Sequence, residues 1–234
     1  DKLRTQVTSI NQGISNGNSA IALLQITDKS MAEQSKILDT IKSKLIQANT
    51  DTTSTAGRTA IAKDVTKLLQ QLNNIGEQTN YNGTTLLQAK RTTADASKEA
   101  NLTAARSAKG GLSFQIGEGT ADLITTRTIN SNVAGLKLSA LAKAVRSGAK
   151  VSAGATAGTT GVFTRAMASA GQKAIDTAIT TLNGYRGDVG STQNQVESAV
   201  RNLMTQSTNI KAAESVIRDV DYAEESANFN KLNI

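Results

Sequence analysis

The side chains that carry acid, base and metal chemistry are sparse in this sequence, and their spacing limits what they could do. There is no His and no Cys, which removes the commonest general base, the commonest metal ligand and every thiolate nucleophile. Carboxylates remain. Asp219, Asp221, Glu224 and Glu225 cluster near the C-terminus, and Asp219 with Asp221 could suggest a divalent cation. A calcium loop needs further oxygen ligands and a glycine turn at fixed spacing. Those are missing, so the cluster reads as a solvated acidic turn. Gly117-Glu118-Gly119 lacks the remaining glycines and the Lys-Ser/Thr of a phosphate loop. Arg186 and Asp188 flank a glycine and could pair, but an exposed pair contributes little. No nucleophile, base and orienting group are assembled. The inventory points to a chain that catalyses nothing and uses no cofactor or metal.

Composition narrows the partners. The net charge is +7, which would suit nucleic acid or an acidic membrane surface. The basic residues are dispersed, however, with Lys90-Arg91 the densest pair, and aromatics make up only 3% of the chain. Few rings are therefore available to stack bases, and no nucleic acid is expected. No apolar run approaches the roughly 20 residues that span a bilayer, so membrane insertion is not expected either. The opening Asp1-Lys2-Leu3-Arg4 is not a secretory signal. Export, if it occurs, must read something else.

The elements that would position these residues are helical. Pro is absent, so nothing forbids long uninterrupted helices. From about Ala20 to Gln47, Leu24, Met31, Leu38 and Leu45 recur every seven residues, with Ile21, Ile37 and Ile41 beside them. That is an apolar stripe on one helix face. Asn49 to Gly57 reads as a reversing loop. A second helix carries Ile61, Val65, Leu68, Leu72 and Ile75 and stops near Gly76. Two helices joined by so short a loop should lie antiparallel. Residues 89 to 111 are polar and weakly periodic. Leu112-Ser113-Phe114-Gln115-Ile116 alternates, Gly117-Glu118-Gly119 offers a turn, and Leu123-Ile124-Thr125-Thr126 can return as a second strand. Val133, Leu136, Leu138 and Leu141 form a short amphipathic stretch, and residues 147 to 161 look like a flexible connection. In the last third, Ile175, Ile179, Leu182, Val189, Val196, Val200, Leu203, Ile210 and Ile217 fit one heptad register, with Arg186, Gln193, Ser207 and Glu214 at the positions between. A continuous helix there would be roughly 60 Å long. Gly184, Gly187 and Gly190 fall inside it, which implies a bend or close packing. So long a stripe must pack on the two N-terminal helices.

Four stretches carry a family resemblance. Gly76-Glu77-Gln78-Thr79-Asn80-Tyr81-Asn82-Gly83-Thr84-Thr85-Leu86-Leu87 resembles the signature that closes the second helix of bacterial flagellins. Tyr185-Arg186-Gly187-Asp188-Val189-Gly190-Ser191-Thr192-Gln193-Asn194-Gln195 is similar to their Tyr-Arg-x-x-Leu-Gly-x-x-Gln-Asn-Arg run. Ile217-Arg218-Asp219-Val220-Asp221-Tyr222-Ala223-Glu224-Glu225 resembles their Ile-x-Asp-x-Asp-Tyr/Phe-Ala-x-Glu element, and Leu112 to Gly117 their Phe-Gln-Ile-Gly hairpin opening. The resemblance implies a mainly α fold: an elongated, coiled-coil-like bundle of two N-terminal helices and one long C-terminal helix, with a small β-hairpin. It implies a core domain made of residues 1–138, with its hairpin at about 112–126, and of 166–234. Residues 139–165 would be a short variable connection in place of outer domains, and further helices are expected before Asp1 and after Ile234. It implies a secreted, extracellular structural subunit of the flagellar filament that self-assembles for motility. Its partners would be copies of itself, the flagellar export machinery, and cap and hook-associated proteins.

One departure concerns the host. Where flagellins seen by their Toll-like receptor carry a Leu-Gln-Arg-Val-Arg-Glu-Leu-like sequence, this chain has Leu38-Asp39-Thr40-Ile41-Lys42-Ser43-Lys44. Thr40 replaces an Arg, Lys44 a Leu, and Gln71 stands where such flagellins have a Glu. The resemblance therefore implies weak or absent receptor recognition. Two other readings stay open. A hook-filament junction (hook-associated) protein shares the helix scheme, usually with a longer middle. A chemoreceptor-type coiled coil would need heptads symmetric about a hairpin tip, which the middle of this chain interrupts.

Overall fold

The computed structural model describes residues 2–91, 102, 106–152 and 154–232, the last five as backbone only. It is mainly α, with helices α1 (Lys2–Ala48), α2 (Thr55–Gln78), α3 (Ser139–Ala149) and α4 (Arg165–Leu232). Two small antiparallel strand pairs accompany them: β1 (Asn80–Tyr81) with β2 (Thr84–Thr85), and β3 (Ser113–Gln115) with β4 (Leu123–Thr125). The chain divides into two compact units. One comprises residues 1–22, 113–125 and 191–234, the other 23–112 and 126–190.

Helix α1 starts some eighteen residues before the point its apolar pattern suggests. The reason lies in what occupies the stripe. Ile10, Gly13, Gly17, Ala20, Leu24, Thr27, Met31, Gln34, Leu38, Ile41, Leu45 and Ala48 are all buried, and their spacing alternates three and four residues throughout. Hydrophobicity registers only part of that heptad, because two glycines, a threonine and a glutamine hold the remaining places. Thr27 satisfies its hydroxyl locally, donating to Leu23 O at 2.8 Å.

In the first unit the glycines of α1 set the packing distance. A Cβ at Gly13 would lie 2.2 Å from Ile116 O, and one at Gly17 2.2 Å from Val200 Cγ2. Backbone therefore meets the β3–β4 hairpin and α4 directly, and Asn16 Nδ2 donates to Gln115 O at 2.7 Å. Register is fixed by Ser113 opposite Thr125, Phe114 opposite Ile124 and Gln115 opposite Leu123. This places Ile124 in the core with Ile10, Ile116, Val196, Val200 and Leu203. The hairpin loop is tied internally. Gln115 Nε2 donates to Gly117 O and Gly119 O, both at 2.6 Å, and Gly119 N–H donates to Asp122 Oδ2 at 2.9 Å.

In the second unit α1 and α2 form a hairpin. Ser54 caps α2 through Gly57 N–H at 3.0 Å, as serine at an N-cap does. Arg58 Nε donates to Ala48 O at 2.8 Å and Arg165 Nε to Asn49 O at 2.9 Å, so two cations occupy the carbonyl end of α1 where its dipole favours them. The buried stripe of α2 runs Ile61, Val65, Leu69, Leu72 and Gly76, a step of four where the heptad reading put three. Leu68 and Ile75 are consequently half-buried. Helix α3, inside the segment expected to be a variable connection, buries Leu141, Ala142, Val145 and Gly148. A Cβ at Gly148 would fall 2.7 Å from Phe163 Cβ, and Phe163 is itself fully buried. The tight turn between β1 and β2 uses Asn82 at φ 50° and Gly83 at φ 83°, the left-handed pair that a two-residue hairpin requires.

Helix α4 runs without interruption through Gly184, Gly187 and Gly190, and a Cβ at any of the three would meet nothing within 4 Å. The expected close packing there is corrected: within the chain these glycines face open space. Gly187→Ala should therefore stabilise the isolated subunit by about 0.5–1 kcal/mol, since alanine lowers the entropy of the unfolded chain and favours the helix. A melt of the variant with an unchanged or lower midpoint would contradict this.

Candidate functional site

Nothing in the described residues gathers reactive groups. No three acidic side chains among them are placed to hold a metal ion. The surfaces that can do work are instead the helix faces, and each of the two units buries its own part of the apolar stripes. Leu24, Met31, Leu38, Leu45, Ile61, Val65, Leu72, Leu182, Val189, Val196, Val200 and Leu203 are buried. Leu68, Ile75, Ile179 and Ile210 are half-buried, and Ile217 is 52% exposed. The core place next to Ile179 belongs to Ala178. On α4 the buried positions run Ile175, Ala178, Leu182, then Val189, Thr192, Val196, and then Val200, Leu203, Ser207. Two successive four-residue steps, Thr192 to Val196 to Val200, rotate the stripe. A single heptad register through 175–217 does not describe it. Such a stutter locally unwinds the seam between helices.

A buried polar knot was not legible in the apolar pattern. Gln34 of α1, fully buried, donates from Nε2 to Leu72 O at 3.1 Å and to Ser131 O at 2.8 Å, and its Oε1 accepts from Ser131 Oγ. Asn73 Oδ1 accepts from Val133 N–H at 2.8 Å. Asn132 donates to Gln88 Oε1 at 2.8 Å and accepts from Gly135 N–H at 2.7 Å. Gly76 lets Ser131 approach, its would-be Cβ lying 2.6 Å from Ser131 O. The segment 130–135 has no regular structure, so its buried backbone groups need individual partners: the side-chain amides of Gln34, Asn73 and Asn132 supply three, and Leu87 O accepts from Ser131 N–H at 2.9 Å. Beside it, Glu77 takes Arg106 Nη1 at 3.0 Å and Arg91 Nη1 at 3.3 Å. The signal available in sequence was polar residues interrupting heptads, and Gln34 is one.

Ion pairs join the helices of the second unit: Arg186 to Asp28 at 3.0 Å, Lys42 to Asp176 at 2.7 Å and Lys44 to Asp64 at 3.2 Å. Arg186 thus pairs with Asp28 of α1, while Asp188 lies 3.8 Å from Arg127; the two do not pair with each other. These pairs are part-exposed and add little individually. Two of them, at Lys42 and Lys44, fall in the segment matched to receptor recognition, where Leu38 is buried and Thr40 is exposed, as is Gln71 on α2. Asp219, Asp221, Glu224 and Glu225 lie on the exposed end of α4, in helix and not in a turn.

A family model described as the bacterial flagellin N-terminal helical region matches residues 1–92, and one described as the bacterial flagellin C-terminal helical region matches residues 172–234. Flagellin A of Helicobacter mustelae is 49% identical over 92 residues, which cover 39% of this chain and 19% of that protein. The flagellin of Bacillus subtilis is 28% identical over an alignment covering all of this chain and 76% of that protein. The chain spans less than a fifth of the length of the Helicobacter relatives it matches. Among solved structures, Bacillus cereus flagellin aligns with a TM-score of 0.57 at 23% identity, covering 86% of this chain and 94% of that one. A protein described as flagellar hook-associated, from Vibrio parahaemolyticus, aligns with a TM-score of 0.67 at 13% identity, covering 92% and 93%.

Proposed function

We propose that this chain, which belongs to the bacterial flagellin family, is a structural subunit of the flagellar filament, self-assembling into a helical tube for motility. The observation that carries this is the pair of helical-region matches, on 1–92 and 172–234. They fall on α1, α2 and α4, the three long helices that carry the buried apolar positions. In this reading 1–138 and 166–234 build the subunit's core domain, and 139–165 stands in the place of outer domains. The protein would be exported and extracellular, with the export machinery, cap and hook-associated proteins as further partners. No helix among the described residues is long and apolar enough to cross a membrane. The likeness to the hook-associated protein, at 13% identity, speaks for the shared fold alone, so the sequence matches decide between the two.

Light scattering and electron microscopy of the full-length subunit test this. Long tubes are the expected result. A subunit that stays monomeric but decorates the tips of existing filaments or hooks would move the assignment to the junction protein.

Recognition by the Toll-like receptor should be weak or absent. Thr40 offers no charge, Lys44 presents an ammonium already committed to Asp64, and Leu38 is fully buried, so charged and apolar anchors are both lost. A cell reporter assay should show no nanomolar activation by the full-length protein; activation in that range would refute this reading.

A further inference from the structure

Asparagine is followed by glycine three times in the sequence, at Asn16-Gly17, Asn82-Gly83 and Asn183-Gly184, and the fold holds the three differently. Such a pair can close on itself, the backbone nitrogen of the glycine attacking Cγ of the asparagine side chain. Glycine leaves that approach open, because it has no Cβ and takes either sign of φ. Asn16 and Asn183 lie inside α1 and α4. There the glycine N–H is bonded to the carbonyl four residues back, and φ and ψ are fixed. Asn16 is tethered as well, its Nδ2 donating to Gln115 O at 2.7 Å. Asn82 lies outside the helices. It and Gly83 are the two central residues of the β1–β2 turn, both are exposed, and a Cβ on Gly83 would meet nothing within 4 Å.

The turn is also close in conformation to the ring it would form. Asn82 stands at φ 50° and Gly83 at φ 83°, the signs of a type I′ turn. In the other two-residue hairpin turn, type II′, the first central residue keeps φ near about +60° while its ψ turns to about −120°. That ψ brings Cγ of Asn82 over the Gly83 nitrogen. One rotation of the Asn82–Gly83 peptide plane connects the two turns, and Gly83 accepts both signs of φ that it requires. A hydrogen bond opposes the change. Gly83 N–H donates to Asn80 Oδ1 at 3.2 Å, which holds the proton that the attacking nitrogen must lose.

We infer that Asn82 is a site of spontaneous modification, where the turn converts to a succinimide and then to aspartate and isoaspartate, and that Asn80 sets the rate. The Gly83 nitrogen gives its proton to hydroxide and forms the bond to Asn82 Cγ, and the side-chain nitrogen leaves as ammonia. Water then opens the ring. Cleavage between Cγ and nitrogen yields aspartate; cleavage between the Asn82 main-chain carbonyl carbon and nitrogen yields isoaspartate, whose main chain runs through Cγ. Isoaspartate lengthens the connection by one carbon, so a two-residue turn no longer joins the pairs Asn80–Thr85 and Tyr81–Thr84. Leu86, whose N–H donates to Thr79 O at 3.2 Å, and the buried Leu87 and Gln88 follow directly.

Peptide mapping of the folded full-length subunit, aged in dilute solution at mildly alkaline pH, tests this whether or not the subunit polymerises. The peptide containing Asn82 should gain the mass difference between NH2 and OH and accept methyl groups from an isoaspartyl methyltransferase used as the probe. Peptides containing Asn16 and Asn183 should stay unchanged until the chain is denatured. Asn82→Gly, which leaves a Gly-Gly pair that a type I′ turn accepts, should abolish the gain. Asn80→Ala should speed conversion of the folded subunit about fivefold, the effect of losing one hydrogen bond, and leave the rate in the denatured chain unchanged. Circular dichroism confirms that each variant is folded. Conversion of Asn16 or Asn183 in the folded subunit as fast as that of Asn82 would overturn the site. So would an Asn82 that stays intact in the folded subunit while the denatured chain converts. An Asn80→Ala subunit converting at the parent rate would overturn the role of Asn80.

Discussion

Gln34→Leu should lower the stability of the subunit by about 3 kcal/mol, although it replaces a polar side chain in a core with an apolar one of similar size. The gain in apolar burial is real but small. Against it, Gln34 Nε2 serves Leu72 O and Ser131 O, and its Oε1 accepts from Ser131 Oγ. The segment around Ser131 has no sheet or helix partner to turn to. Removing one member of a satisfied buried pair leaves the other desolvated without compensation, at about 1–3 kcal/mol per group. Two such groups, Ser131 O and Oγ, are orphaned here. At roughly 2–4 °C per kcal/mol for a domain of this size, the melting midpoint should fall by about 6–12 °C. Ser131→Ala should cost less, about 1–2 kcal/mol, because one buried group, Gln34 Oε1, loses its partner instead of two. The double variant should fall short of the sum, as residues in one network do. A Gln34→Leu protein melting within 2 °C of the parent would show that the knot contributes nothing.

The second large effect is expected at Gly13. Alanine is the better helix former by about 1 kcal/mol, so helix propensity alone predicts stabilisation. A Cβ at Gly13 would lie 2.2 Å from Ile116 O and 3.2 Å from the carbon of the same carbonyl. That obstacle is backbone, not the end of a flexible side chain. The β3–β4 hairpin must move away from α1, stretching the bond from Asn16 to Gln115 O and opening the packing around Ile10 and Leu203. Overpacking of this kind costs about 1–3 kcal/mol. Gly13→Ala should therefore destabilise and Gly187→Ala stabilise, two identical substitutions in helices with opposite signs. Hydrogen exchange gives the sharper readout. In Gly13→Ala, protection should fall first at Ile116 and Thr126, whose amide protons bond to Asp122 O and Leu112 O at the hairpin ends. A stabilised Gly13→Ala protein would mean that the hairpin has room to give.

Sequence by itself determined the fold class, the three long helices and the hairpin. Proline absence and heptads of Leu, Ile and Val are local properties of the chain, and each element needs only its own residues to be read. The signatures at 76–87, 185–195 and 217–225 pointed to the family for the same reason. What sequence could not fix was which residue of each stripe faces inward. Leu68 and Leu69, or Ala178 and Ile179, are adjacent around a helix, and both fit an apolar face. Only the neighbour's shape selects Leu69 and Ala178, and the stutter at Val196 follows from where α4 meets its partners. Gly13, Gly17 and Gln34 sit at heptad positions for reasons no single helix contains: a carbonyl approaches, a valine methyl fills the space, or an irregular segment needs donors. The excess of cations lay in the sequence throughout. Tertiary structure decided which of those cations reach the surface: with Leu141 and Val145 buried, Lys143 and Lys150 are exposed and Arg146 is half-buried.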